Sequence, residues 1–344
     1  MGHQHPRIFN AVDNPWRLNL KKTTTYNLIA LAVLMIGFIS PSRADLIEGV
    51  PLRGFTDFSY IYDQSNKSNS FQLGDMDIFL AKPIDKKVNF LVELNFQPSD
   101  AGVGVDLERS YVQYVENQWL KVSLGRFHTA LGYWNETYHH GRYLHTSLTR
   151  PVMVRFEDSG GLLPTHTTGL EFRGNGLVSG NNFGYIFNIG NGRGPVKDPP
   201  AFEYSYSKSK SLSGVVFYEW DSGLRLGTNA YHSQLPGGFQ HNSDGTNNTQ
   251  LPGPTGDEWI YGAHLVYNNP SIEFLSEYER INHKYSDGNT NTGIDTFYAQ
   301  LGVHTGLLTP YARFEVNATN APDAYFNAST GSNNPGLILS LIHI

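Results

Sequence analysis

After residue 50, hydrophobic and polar residues alternate along most of the chain with a period of two, the mark of strands with one apolar face. Val88, Phe90, Val92, Leu94 and Phe96 share one side, while Asn89, Glu93, Asn95 and Gln97 take the other. Gly74-Met76-Ile78-Leu80 alternates with Asp75 and Asp77, and Leu120-Val122-Leu124 with Lys121 and Ser123. Phe183-Tyr185-Phe187-Ile189, Trp259-Tyr261-Ala263-Leu265-Tyr267 and Phe297-Ala299-Leu301-Val303 repeat the pattern. Thirteen strands are predicted over 54–63, 71–82, 87–97, 104–116, 119–128, 166–175, 182–191, 211–221, 223–233, 257–268, 270–282, 294–304 and 308–317, with a fourteenth from Gly336.

The connectors alternate as well. Tight turns fall at Lys82–Lys87, Glu116–Gln118, Gly176–Asn182, Asp221–Gly223, Asn268–Pro270 and Thr305–Leu308. Between them lie polar loops at Asp63–Asn69, Gln97–Gly104, Thr129–Thr165, Asn191–Lys210, Gln234–Asp257, Asn282–Ile294 and Ala318–Pro335. In a closed antiparallel sheet spanning a membrane, every second connection emerges on the same side, and the two sides differ in loop length. The expectation is therefore an all-β chain, a transmembrane antiparallel β-barrel.

Composition favours that over a soluble sandwich. Of 344 residues only 16% are charged and 13% are aromatic, with 35 glycines and no cysteine. Soluble domains carry about 25% charge. Asp75, Asp77, Glu93, Glu171, Arg173, Glu273 and Arg313 fall on the polar faces, too many charges for a dry interior but suited to a wet lumen. Tyr60, Tyr62, Phe96, Tyr114, Trp119, Trp220, Trp259 and Tyr267 recur near strand ends, as an interfacial girdle requires.

Leu28–Ile39 is the one long apolar run, preceded by Lys21 and Lys22 and followed by Ser42-Arg43-Ala44. It is shorter than the roughly 20 residues a membrane helix needs. It reads as a secretory signal cleaved after Ala44, so residues 1–44 are an N-terminal extension and signal peptide and 45–344 the barrel. The rival is a buried core helix, and Met1–Leu20 reads as a mis-assigned start. Cleavage removes Arg7, Arg17, Lys21, Lys22, Arg43 and Asp13, leaving 20 basic and 30 acidic residues, a net charge of −10. An acidic chain of this kind argues against nucleic-acid binding. Leu339–Ile344 matches the translation of a transposon-end adapter, so the natural reading frame is expected to run on to a barrel of about 16 strands.

The third long loop, Thr129–Thr165, has 37 residues. It is dense in Tyr, Trp, His, Arg and Leu, whereas the other long loops are Asn/Gly/Asp/Thr tracts. A long loop rich in packing residues is usually functional, and this one is expected to fold back into the lumen and narrow it.

Gly125-Arg126-Phe127 leaving the fifth strand, the Leu131-Gly132-Tyr133 turn and Thr309-Pro310-Tyr311-Ala312-Arg313 together resemble the phosphate-selective porin-like outer-membrane family. The resemblance implies a 16-stranded porin, often a homotrimer, with an infolded third loop. A dense arginine ladder for phosphate selectivity is not seen, so the solute stays open.

Residues 121–155 hold Lys121, Arg126, Arg142, Arg150 and Arg155 against Glu136, a local net of +4. The strand faces supply Asp57, Asp75, Asp77, Glu93, Glu171, Glu273 and Glu277. A basic loop facing an acidic wall would set a transverse field across the constriction. The candidates are Arg126, Arg142, Arg150 and Arg155 on one side, and Asp75, Asp77 and Glu93 on the other. The alternative is that the arginines pin the loop to the wall.

His128, His139, His140, His145 and His166, with Glu136, Glu157 and Asp158, invite zinc, but no fixed-spacing motif is present and ordinary hydrogen bonding is preferred. Ser286–Asp295 has only a vague likeness to a calcium loop and lacks its spacing. A barrel hydrolase would need a His/Ser pair on one strand face; His145/Ser147 and His241/Ser243 have the spacing but lie in loops. A receptor or structural barrel with a plugged lumen is the other rival. The reading adopted is a non-enzymatic channel of the bacterial outer membrane, passing small hydrophilic solutes or ions. No cofactor or metal is expected, and the partners are outer-membrane lipid and lipopolysaccharide.

Overall fold

The computed structural model describes residues 52–63, 67–99, 102–138, 144–155, 161–194, 210–240, 249–251, 255–286, 288–306 and 308–326. The predicted signal and the carboxy-terminal segment lie outside them, as do Arg142, His139, His140, Glu157, Asp158, His241 and Ser243.

Thirteen of the strands form one sheet in strict up-and-down order, every neighbour antiparallel. They are β1 (Leu52–Asp63), β2 (Ser68–Pro83), β3 (Val88–Ser99), β4 (Gly102–Asn117), β5 (Leu120–His128), β6 (His166–Val178), β7 (Asn181–Asn191), β8 (Lys210–Glu219), β9 (Leu224–Leu235), β12 (Gly256–Asn268), β13 (Ile272–Tyr285), β14 (Thr292–Val303) and β15 (Tyr311–Thr319). The remaining two, β10 (Gly238–Gln240) and β11 (Thr249–Leu251), make a small hairpin inside a loop read from sequence as a solvent tract. All thirteen predicted strands are present. Among the described residues, β1 and β15 each pair with one neighbour only.

The two faces separate as the alternation requires. On β5, Leu124 is 64% exposed while the adjacent Ser123 is fully buried. Trp259, Tyr261, Tyr278, Leu301 and Phe314 continue the exposed apolar face, with Glu258, His264, Glu277, Glu279, Gln300 and Arg313 buried on the other. An apolar outer band around a polar inner face suits hydrocarbon outside and water or loops inside.

Register shifts interrupt the pairing at three places among the described residues, one of them at Glu116 beside the β4–β5 turn, and such bulges re-aim side chains. On β4 the register slips so that Glu93 faces Arg109 and Leu94 faces Leu107, leaving Glu108 as the extra residue. On β2, Gly74 and Asp75 together oppose Asp57.

The connection between β5 and β6 contains α1 (Trp134–Tyr138) and a single 3-10 turn over Val152–Val154. It folds inward. Leu131, Trp134, Met153, Val154, Leu162 and Leu163 pack with Tyr231, Ile260, Val266, Leu275, Ile281, Ile294 and Tyr298 of the wall. The inner face of β9 and β12–β14 is apolar at these positions, and the loop covers it. Burying each large side chain contributes about 1.5–3 kcal/mol.

Candidate functional site: the infolded loop and the wall it faces

The loop is fixed to β13–β15 by polar contacts as well as packing. Gly132 has φ +65°, a left-handed turn that glycine adopts without strain. The turn aims the backbone N–H groups of Tyr133 and Trp134 at the Glu277 carboxylate, at 2.7 and 2.9 Å. Tyr298 donates its hydroxyl to the same carboxylate at 2.6 Å. Glu277 thus caps the first turn of α1 from the opposite wall.

Further along, Thr146 donates to Glu273 at 3.2 Å and the Val152 N–H to Glu315 at 2.6 Å. The Leu148 N–H donates to the Tyr311 hydroxyl. Arg313 donates to the Thr149 carbonyl at 2.6 Å and hydroxyl at 2.8 Å, and to the Arg150 carbonyl at 3.2 Å. The loop is held by wall side chains gripping its main chain.

The seven charges singled out in the sequence occupy several environments. Arg126 is 7% exposed; its Nε donates to the Glu108 carbonyl and its Nη2 to His166 Nδ1 at 3.0 Å. His166 Nε2 lies 2.9 Å from Glu108 Oε2. Because an arginine only donates, Nδ1 must accept and Nε2 carries the proton toward Glu108. These three residues gather where β4 and β5 part, since the residues of β4 before Ser110 pair only with β3. Arg150 donates to the Val154 carbonyl at 2.7 Å, and the half-buried Arg155 closes the 3-10 turn through its N–H. Asp77 is buried and accepts from Asn95 at 2.9 Å, Glu93 pairs with Arg109, and Asp75 is half-buried at the β2 bulge. Arg142 falls outside the described residues.

Other charges around the loop were not singled out as constriction residues. Arg173 donates to Glu171 at 2.7 and 2.8 Å and reaches Glu136 of α1 at 3.1 Å. Burial pushes the Glu136 carboxyl up to about 7, against the pull of Arg173. Arg225 on β9 lies against the rings of Phe217 and Tyr133, 3.6 and 5.0 Å from their centroids. Arg173 was visible as a polar-face residue, whereas Arg225 carried no signal beyond its alternation.

A second buried network joins the connection after β7 to the segment after β15. Arg193 donates to Glu258 at 3.0 Å and to the Leu162 carbonyl at 2.5 Å. His283 lies with Nε2 3.1 Å from Glu258 and Nδ1 2.8 Å from Asp323. Both ring nitrogens face carboxylates, so His283 donates from both and is cationic; two cations then balance two anions. Tyr285 and the Phe326 N–H each donate to Asp323 at 2.9 Å. Burial alone would raise the Asp323 carboxyl, but the bond and charge of His283 outweigh it and hold it at about 2.

Ser147 Oγ lies 3.5 Å from His145 Nδ1 and 3.1 Å from the Thr149 carbonyl, inside the folded loop rather than on the outer face. The rings of His128 and His166 are 5.9 Å apart. Among the described residues, no group of three or more His, Asp or Glu is placed to hold a metal.

No protein-family model matches the chain, and no curated protein matches it. Solved structures do. An anion-selective porin from Comamonas acidovorans aligns over 79% of both chains at TM-score 0.53 and 13% identity. The trimer form of OmpT, an outer membrane protein of Vibrio cholerae, aligns over 79% of both chains at TM-score 0.51 and 10% identity. At such identities the likeness speaks for the fold alone: the chain shares the up-and-down antiparallel β-barrel architecture of these two structures.

Proposed function

We propose that the protein forms a water-filled channel in the bacterial outer membrane, through which small hydrophilic solutes or ions diffuse down their gradients. The carrying observation is the 37-residue third loop, tied to the inner wall at Glu277, Glu273, Glu315 and Arg313. A loop anchored inside a polar-lined barrel narrows a passage without supplying bond chemistry. Charges lining such a passage select ions and orient dipolar solutes.

The pore-lining set we propose keeps Arg126, Arg142, Arg150 and Arg155 with Asp75, Asp77 and Glu93, and adds Arg109 and Arg173. R142A combined with R150A is expected to shift reversal potentials towards cation preference in planar bilayers; unchanged potentials would remove both from the lining. Cleavage after Ala44, contact with lipopolysaccharide and assembly as a homotrimer belong to the same reading. The experiment that tests it is conductance of the purified protein under a salt gradient, with phosphate, sugars and amino acids as competitors.

A further inference from the structure

The carboxylates that interact electrostatically with Arg225 are already engaged. Glu136 is held by Arg173, Glu277 by Tyr133, Trp134 and Tyr298, and Glu219 by Asn182 at 3.3 Å. Arg225 itself makes no hydrogen bond or ion pair with any of them, and its buried Nε has no partner among the described residues. Its guanidinium carbon lies over the rings of Phe217 and Tyr133, 3.6 and 5.0 Å from their centroids, and its N–H groups are what it has left to bind with. An arginine held flat by aromatic stacking presents two parallel N–H donors, the geometry that matches a carboxylate or phosphate oxygen pair.

A second observation points to a missing polar species beside it. His264 on β12 is 3% exposed, and neither ring nitrogen has a partner among the described residues. Its ring lies 5.8 Å from that of Tyr133 and sits over Gly227, two residues along β9 from Arg225, where a Cβ would collide with the imidazole. Buried imidazole nitrogens without partners are costly, because each has lost its water without gaining a protein hydrogen bond. The third loop fixes the remaining element, because the Glu277 anchor at the Tyr133 N–H places the Tyr133 ring against the guanidinium.

We propose that Arg225, framed by Tyr133, Phe217 and His264, is an oxyanion subsite inside the channel that takes the carboxylate or phosphate group of a small permeating solute. This rests on the diffusion reading. Arg225 supplies the two-pronged contact, Tyr133 and Phe217 hold the fork edge-on to the passage, and His264 completes the polar surface next to it.

The test is block of potassium chloride current through single channels by sodium acetate, inorganic phosphate or glucose. Acetate, phosphate or both should block the wild-type channel in a saturable manner, their ranking telling which oxyanion the site prefers, and glucose should not. R225Q should raise the half-blocking concentration of the effective anion at least about tenfold. R225K keeps the cation without the fork and should raise it several-fold, and it serves as the readout if R225Q does not fold. A conducting channel blocked equally by the anion in wild type and both variants, or blocked by neither anion, overturns the subsite while leaving diffusion standing. A wild-type protein that forms no channel overturns both.

Discussion

Trp134 and Glu277 are joined by a 2.9 Å bond from the main chain of α1 to a carboxylate on β13, spanning 143 residues of sequence. That bond and its twin from Tyr133 fold the third loop inward. E277A should free the loop. Hydrogen bonds to a charged group contribute about 1.5–3 kcal/mol each. The expected result is faster protease cleavage within 129–165 and larger, noisier single-channel currents, while the strands stay folded by circular dichroism. An uncleaved loop and unchanged conductance would show that packing alone holds it.

Gly132 tests the same anchor from the other side. Its φ of +65° costs an L-residue about 1–2 kcal/mol, and a Cβ there would run into the Glu277 carboxylate. G132A should therefore reproduce the E277A phenotype, and the double variant should be far less than additive, since both remove one interaction. Additive effects on thermal unfolding in detergent would separate the two residues.

The Asp323 network predicts an acid-labile loop lock. Asp323 is held at about 2, below the 3.8 of a free aspartate, so its contribution is complete above pH 4 and lost as pH falls towards 2. A depression of this size corresponds to about 2 kcal/mol of stability. Thermal unfolding in detergent from pH 5 to pH 2 should fall more steeply for the wild type than for D323N. Parallel curves would exclude Asp323 as the cause.

Glu136 makes selectivity depend on pH near neutrality. Its carboxyl, raised by burial to about 7, is protonated below that pH and ionised above it. Ionisation adds a negative charge beside Arg173, so reversal potentials should move towards cation preference between pH 6 and pH 8. E136Q should flatten that change. An equal pH response in E136Q would place the titrating group elsewhere.

The strands were legible because a lipid-facing side chain and a lumen-facing one differ in polarity at every step, which writes period two into the chain. The bulge at Glu108 was not, because one inserted residue sets two adjacent charges, Glu108 and Arg109, against a pattern that expects one. The inward turn of the third loop could be read from its packing residues, and Leu131-Gly132-Tyr133 marked the place where it happens. Its anchors could not. Glu277, Glu315 and Arg313 meet the loop only through contacts 143 to 164 residues apart, and the same alternation would have suited them as plain lumen lining. Arginine enrichment suggested that the loop's own charges face the acidic wall, yet Glu277 and Glu315 accept main-chain N–H groups of the loop, Glu273 accepts from Thr146, and Glu93 and Glu171 pair with Arg109 and Arg173 of the strands. Arg225, on the strand side, keeps a buried Nε without a partner among the described residues.

Planar-bilayer recording of the purified protein tests the central claim most directly. A hollow barrel narrowed by its own loop predicts discrete, long-lived current steps at low voltage that grow when Glu277 is replaced by alanine. Insertion into the bilayer with no steps, under salt gradients and with the loop intact or released, would contradict it.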